Sequence, residues 1–175
     1  SFFIRKTNNG KYVDSNQKSD WEIIRSAYYV NDAWDGQEIW TYAAGSDTTG
    51  TGSPKAPYAT IAKVVNTHKL NPGDIVYVDY GTYNTNVIIT GADSGTNGNP
   101  IIFKGTGIVA GKYTRIDGQS TRAYWFNISN ASNIKIIGFD LINHTDSGIR
   151  LENNSKSVTI VSNESYKNLY GIYLN

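Results

Sequence analysis

Trp125-Phe126-Asn127-Ile128, Gly148-Ile149-Arg150-Leu151 and Gly171-Ile172-Tyr173-Leu174 are copies of one short strand-like unit, with Phe126, Ile149 and Ile172 evenly spaced along the chain. A second unit returns at an interval longer by a single position, with Ile134 and Ile136 recurring as Val158 and Ile160, Phe139 as Asn163 and Ile142 as Tyr166. The difference fits a loop that shortens between the two copies. Self-similarity at a fixed period means stacked units that bury a core only together. Successive side chains of a strand point to opposite faces. Phe126/Ile149/Ile172 and Ile128/Leu151/Leu174 therefore stack inward while Asn127, Arg150 and Tyr173 project outward. Two or three short strands per turn, with no helix between them, make a solenoid. An ankyrin repeat needs two helices and a leucine-rich repeat needs a Leu-x-x-Leu-x-Leu frame, and the sequence has neither.

Upstream, the apolar residues come in short β-rich runs: Tyr28 to Val30, Asp74 to Val78, Val87 to Ile89, Ile101 to Phe103 and Ile134 to Ile137. Asn, Gly, Ser and Thr part them, and the Asn side chains suit tight corners, where they bond backbone groups and tolerate left-handed dihedrals. One stretch is helical in period, Ala59 to Leu70, with Ile61, Val64, Val65 and His68 on one stripe. Pro57 precedes it, Tyr58 or Thr60 stands near its cap, and Pro72-Gly73 closes it. The pattern is all-β with one short α-helix.

The chain has 175 residues, a length that suits one domain. It holds 17 Gly, 19 Asn, 13 Tyr and no Cys, which excludes a thiol nucleophile, a Cys-ligated metal and a disulfide framework. Sixteen basic and 15 acidic residues leave a charge of +1, so neither nucleic acid nor an anionic membrane is favoured as a partner. No apolar run approaches the roughly 18 residues a membrane span needs. The beginning, Ser1-Phe2-Phe3-Ile4-Arg5-Lys6, has no signal-peptide layout, and Leu174-Asn175 ends on a strand without a closing turn, so the natural protein is expected to continue past this point.

Five further segments carry a resemblance: Tyr28-Tyr29-Val30-Asn31-Asp32, Gly45-Ser46-Asp47, Pro57-Tyr58-Ala59-Thr60-Ile61, Pro72-Gly73-Asp74-Ile75-Val76-Tyr77-Val78 and Gly81-Thr82-Tyr83. With Gly95-Thr96, Asn99-Pro100-Ile101 and Ile116-Asp117-Gly118, they make residues 28–175 similar to the right-handed parallel β-helix proteins of the pectate-lyase-like group. The resemblance implies a right-handed parallel β-helix opened by an N-terminal capping helix. The same opening introduces polysaccharide lyases, hydrolases and non-catalytic surface adhesins. Residues 1–27 lie before it, as an N-terminal extension or the end of a preceding domain.

Lyases of that group abstract a proton beside a uronic acid carboxylate, with calcium held by acidic side chains and a Lys or Arg base. The nearest local counterpart is Asp140 and Glu164, equivalent positions of the second unit and so stacked about 4.8 Å apart. Two stacked carboxylates could hold calcium through oxygen, or form part of a solvated polar face. Arg150 and Glu152 face outward on the neighbouring strand. Trp21, Trp34, Trp40 and Tyr42 offer aromatic surface that would stack on sugar rings or pack over the helical cap. Carbohydrate contacts are therefore assigned to Trp34, Trp40, Tyr42, Arg150 and Tyr173, and a calcium site to Asp140 and Glu164.

Other motifs fail on context. Gly45 to Gly52 mimics a phosphate-binding loop but has Thr51 in place of the Lys. Gly105-Thr106-Gly107-Ile108-Val109-Ala110 fits a dinucleotide fingerprint, yet no helix pattern follows. Asn31 to Gly36 suggests a calcium loop, with Ala33 at a ligand position and Tyr42 in place of the bidentate Glu. His68 and His144 form no triad with a nucleophile. Asn-x-Ser/Thr sequons occur at Asn127, Asn130, Asn143, Asn153 and Asn163, the last expected to point inward.

Two functions remain. The first is an extracellular β-helix module of a cell-surface adhesin or fibre, whose polar face contacts a polysaccharide, a cell-surface glycan or other chains of a surface assembly. The second is the opening part of a secreted polysaccharide lyase or glycoside hydrolase. The first is favoured, because no complete acid–base constellation stands in these coils.

Overall fold

The computed structural model describes residues 25–107 and 111–175. The strands run β1 (Ala27–Val30), β2 (Ile75–Val78), β3 (Gly81–Tyr83), β4 (Val87–Ile89), β5 (Ile101–Gly105), β6 (Thr114–Asp117), β7 (Tyr124–Ser129), β8 (Ser132–Ile137), β9 (Phe139–Ile142), β10 (Ser147–Glu152), β11 (Lys156–Val161), β12 (Glu164–Tyr166) and β13 (Tyr170–Leu174). They form three parallel sheets in the orders β1-β2-β5-β8-β11, β3-β6-β9-β12 and β4-β7-β10-β13. Every third strand returns to the same sheet, so from β2 onward the chain winds through four coils of a right-handed β-helix.

The register is the one the repeats predict. Ile149 pairs with Phe126 and Ile172, and Leu151 with Ile128 and Leu174. Val158 and Ile160 pair with Ile134 and Ile136, and Glu164 with Asp140. The shortening loop is also there: residues 143–146 join β9 to β10, whereas residues 167–169 join β12 to β13. The centre of the stack is aromatic, with Phe103, Trp125, Phe126 and Phe139 buried and the Trp125 and Phe126 rings 3.8 Å apart.

The corners are built by residues that accept positive φ. Asn130, Asn133, Asn143, Asn153 and Asn154 lie between φ 54° and 64°. Gly138 turns β8 into β9 at φ 76°, and a Cβ there would stand 2.8 Å from the Gly105 carbonyl oxygen. In the next coil Ser162 takes that place at φ 53°. Asn163 points inward as expected: its Oδ1 accepts from the Phe139 backbone N–H at 2.9 Å, and its Nδ2 donates to the Ile136 carbonyl at 3.0 Å. Asn168 repeats the device one corner later, accepting from the His144 N–H and donating to the Leu141 carbonyl.

The helix, α1 (Ile61–Thr67), is shorter than its apolar stripe suggests. Thr60 is its N-cap, accepting from the Lys63 N–H, while Asp47 accepts from the Ala59 and Thr60 amides and the Thr60 hydroxyl. His68 has already left the helix, in extended backbone, and Leu70 descends into the core. α1 buries Ile61 and Val64 and packs against β2 and β4. β1 covers the adjoining edge of β2 in parallel pairing. β1 and α1 together cover the first coil at β2 and β4, the kind of cover an exposed sheet edge requires.

Candidate functional site

The parallel winding assigns the candidate residues to three different outer faces. On the sheet of β1, β2 and β5, alternation turns Val30, Val76, Val78 and Phe103 inward and leaves Tyr29, Tyr77 and Lys104 outward in one ladder. The Tyr29 and Tyr77 rings stack at 5.3 Å, and Trp40 tilts against Tyr77 at 5.0 Å. Lys104 Nζ lies 5.8 Å from both the Trp40 and Tyr77 ring centres, within cation–π reach. Tyr42 is 68% exposed beside this group. Burial, Tyr77 and Tyr42, in that order, raise the Tyr29 phenol above its ordinary pKa, so it is a neutral hydrogen-bonding group at any physiological pH.

Trp40 sits on a loop, yet Asp79 fixes its backbone. This fully buried carboxylate accepts from the Ile39, Trp40 and Thr41 amides and the Thr41 hydroxyl, each at 2.9 Å, and from the Tyr80 amide at 3.1 Å. A buried charge is tolerable when paired so completely, and its donors cannot leave without stranding it. Trp40 is therefore held on the outside of a sheet rather than over the helical cap. Trp34, 46% exposed, has no ring partner among the described residues, and Trp21 lies outside them.

The second face belongs to β4, β7, β10 and β13, where Ile88, Asn127, Arg150 and Tyr173 form an outward ladder. Arg150 donates to Glu152 at 2.9 Å and to Asp146 at 3.3 Å, and its guanidinium lies 5.3 Å from the Tyr173 ring. Asn127 donates to the other Glu152 oxygen at 2.9 Å. Arg150 and Tyr173 thus meet as predicted, but the two carboxylates already occupy the cation.

The third face, of β3, β6, β9 and β12, carries the ladder Arg115, Asp140, Glu164. Arg115 Nε donates to Asp140 Oδ2 at 2.7 Å, and this bond raises the guanidinium further above its ordinary pKa. The two acids lie side by side as expected. Calcium takes six to eight oxygens, and no group of three or more His, Cys, Asp or Glu side chains converges among the described residues.

The remaining motifs resolve as scaffold. In the Asn31–Gly36 loop, Asp32 accepts from the Thr82 amide, and Asp35 from the Gln37 amide and the Tyr80 hydroxyl. The dinucleotide-like run begins on Gly105, the last residue of β5, and precedes β6, with Ile108 to Ala110 outside the described residues. His68 bonds the Tyr58 hydroxyl at 2.8 Å and lies tilted against the Tyr28 ring at 4.4 Å. Among the described residues no helix is long and apolar enough to cross a membrane.

Sequence reasoning missed Tyr29, Tyr77, Lys104 and Asp79. Tyr29 pairs with Tyr77 and Tyr77 with Lys104, at two unequal sequence intervals that no repeat announces. Comparison with family models, with curated proteins and with solved structures returned no match.

Proposed function

We propose that this chain is a β-helix module of an extracellular surface protein of the pectate-lyase-like group, and that it binds glycans through the outer face of β1, β2 and β5. The observation that carries this reading is the Tyr29/Tyr77/Trp40 group with Lys104 across it: aromatic faces for sugar C–H surfaces, with phenols and an ammonium to bond hydroxyls. The buried Asp79 cradle supports it, because a pre-ordered Trp40 loses little freedom on binding.

The alternative, the opening of a polysaccharide lyase or hydrolase, draws on the Arg115/Asp140/Glu164 ladder. A basic catalyst must give up its proton at working pH, whereas Asp140 holds Arg115 protonated. The binding reading is therefore preferred.

Calorimetric titration of the chain with neutral hexasaccharides tests it. Binding is expected, weakened at least about fivefold in Trp40→Ala, the scale of a lost aromatic contact. Equal affinity of wild type and Trp40→Ala, or release of unsaturated product from polygalacturonate, would reject it.

A further inference from the structure

A cavity of about 290 Å³ opens beside the third face, bordered by Tyr113, Gly138, Asp140, Ser162, Asn163 and Glu164. Asp140 projects from the outer side of β9, yet only 3% of it is exposed. Its Oδ2 is taken by Arg115, while its buried Oδ1 has no hydrogen-bond partner among the described residues. A buried carboxylate oxygen without a donor is costly, and one on a residue that borders a cavity calls for a ligand that donates.

Charge and size narrow the ligand. Asp140 and Glu164 are adjacent in register, and Arg115 offsets one of them, so the site keeps a net negative charge. A uronic acid would bring a third carboxylate against these two. A protonated amine would complete the charge and donate to Asp140 Oδ1, to Glu164 and to the Ser162 hydroxyl, with charge-assisted bonds stronger than neutral ones. The volume lies at the lower end of small-molecule sites and suits a single ring, for which Tyr113 supplies an apolar wall.

We propose that this cavity binds an amino sugar, with its ammonium lodged between Asp140 and Glu164. The sugar part rests on the glycan reading, but the site lies on a different sheet from Trp40, so each stands or falls by its own signals. The test is an NMR titration of the full 175-residue chain at pH 6.5 with glucosamine, N-acetylglucosamine, galacturonate and calcium chloride as separate probes. Glucosamine should shift the amides of Gly138, Asp140, Asn163 and Glu164, with N-acetylglucosamine at least about tenfold weaker and galacturonate silent there, as loss of a charge-assisted bond requires. Asp140→Asn should abolish the shifts. Glu164→Gln, at an exposed position that leaves folding untouched, should weaken them about tenfold. No shifts with glucosamine, equal shifts with N-acetylglucosamine, unchanged affinity in Glu164→Gln, or saturation by calcium with glucosamine inert would each overturn the proposal. Shifts confined to Trp40 and Tyr77 would overturn it while leaving the aromatic site standing.

Discussion

Ile149 and Ile172 are the same residue at equivalent places in successive coils, paired with each other, yet Ile149 is fully buried and Ile172 is 48% exposed. Residue type, strand and register are alike, so the difference comes from neighbours. Ile149 has a coil on both sides, Phe126 on one and Ile172 on the other, while Ile172 has Ile149 alone among the described residues. Leu151 and Leu174 repeat the comparison, half-buried against 70% exposed. In a stack of this kind burial belongs to the position among coils, and each coil stabilises the one beside it.

The largest expected effect is on this pair. Ile149→Ala should cost about 3 kcal/mol, as methyl groups vanish from a closed core, and Ile172→Ala roughly 1 kcal/mol, since that side is half open. Urea unfolding of the two variants measures both, and equal losses would break the comparison. A sharper version uses Asn163, which stands in the last coil but bonds the Phe139 amide and the Ile136 carbonyl of the coil before. Asn163→Ala should cost about 2 kcal/mol, more than Ile172→Ala, because it strands buried backbone groups.

Aspartate 79 extends the same logic to the aromatic face. Asp79→Asn, close in shape but able to accept through one oxygen only, should cost about 1 to 2 kcal/mol in the same assay and weaken hexasaccharide binding without touching the rings. A loss of stability with unchanged binding would show that Trp40 needs no such positioning.

The smallest effect is on pH dependence. Burial pushes the His144 imidazole below its ordinary value of 6.5, outweighing the Asn168 bond and Asp117, which favour the charged form. His68 moves the same way, again chiefly by burial. As pH falls through 6.5 the unfolded chain takes up protons that the folded chain refuses, so stability is full above 6.5 and declines from there toward the depressed folded values. Thermal unfolding between pH 8 and pH 5 should show this decline, shallower in His144→Gln, where one of the two contributing imidazoles is gone. A slope unaltered by His144→Gln would contradict the assignment.

What the sequence disclosed follows the same division between coils. The last two turns share loops of nearly equal length, so Phe126, Ile149 and Ile172 recur at even spacing and the register could be read directly. Nearer the N-terminus the paired residues are Ile75 with Ile102, Gly81 with Thr114 and Val87 with Phe126, each pair further apart in sequence than the one before, because loops of different length leave the same three strands. Periodicity is lost there although the coil is not. The aromatic face sits in that region, so Trp40 was legible as a residue while its partners Tyr29, Tyr77 and Lys104 were not. Asp140 and Glu164 lie where the repeat is regular and were paired from sequence. The bond from Arg115, beside which the other Asp140 oxygen has no partner among the described residues, belongs to the folded geometry and left no trace in the sequence.

Amide hydrogen exchange measured strand by strand tests most directly whether neighbouring coils set stability. The amides of β8 and β10, flanked by paired strands on both sides, should exchange slowest, and those of β11, β12 and β13, paired on one side only among the described residues, markedly faster. Protection in β11 to β13 equal to that in β8 and β10 would contradict the account.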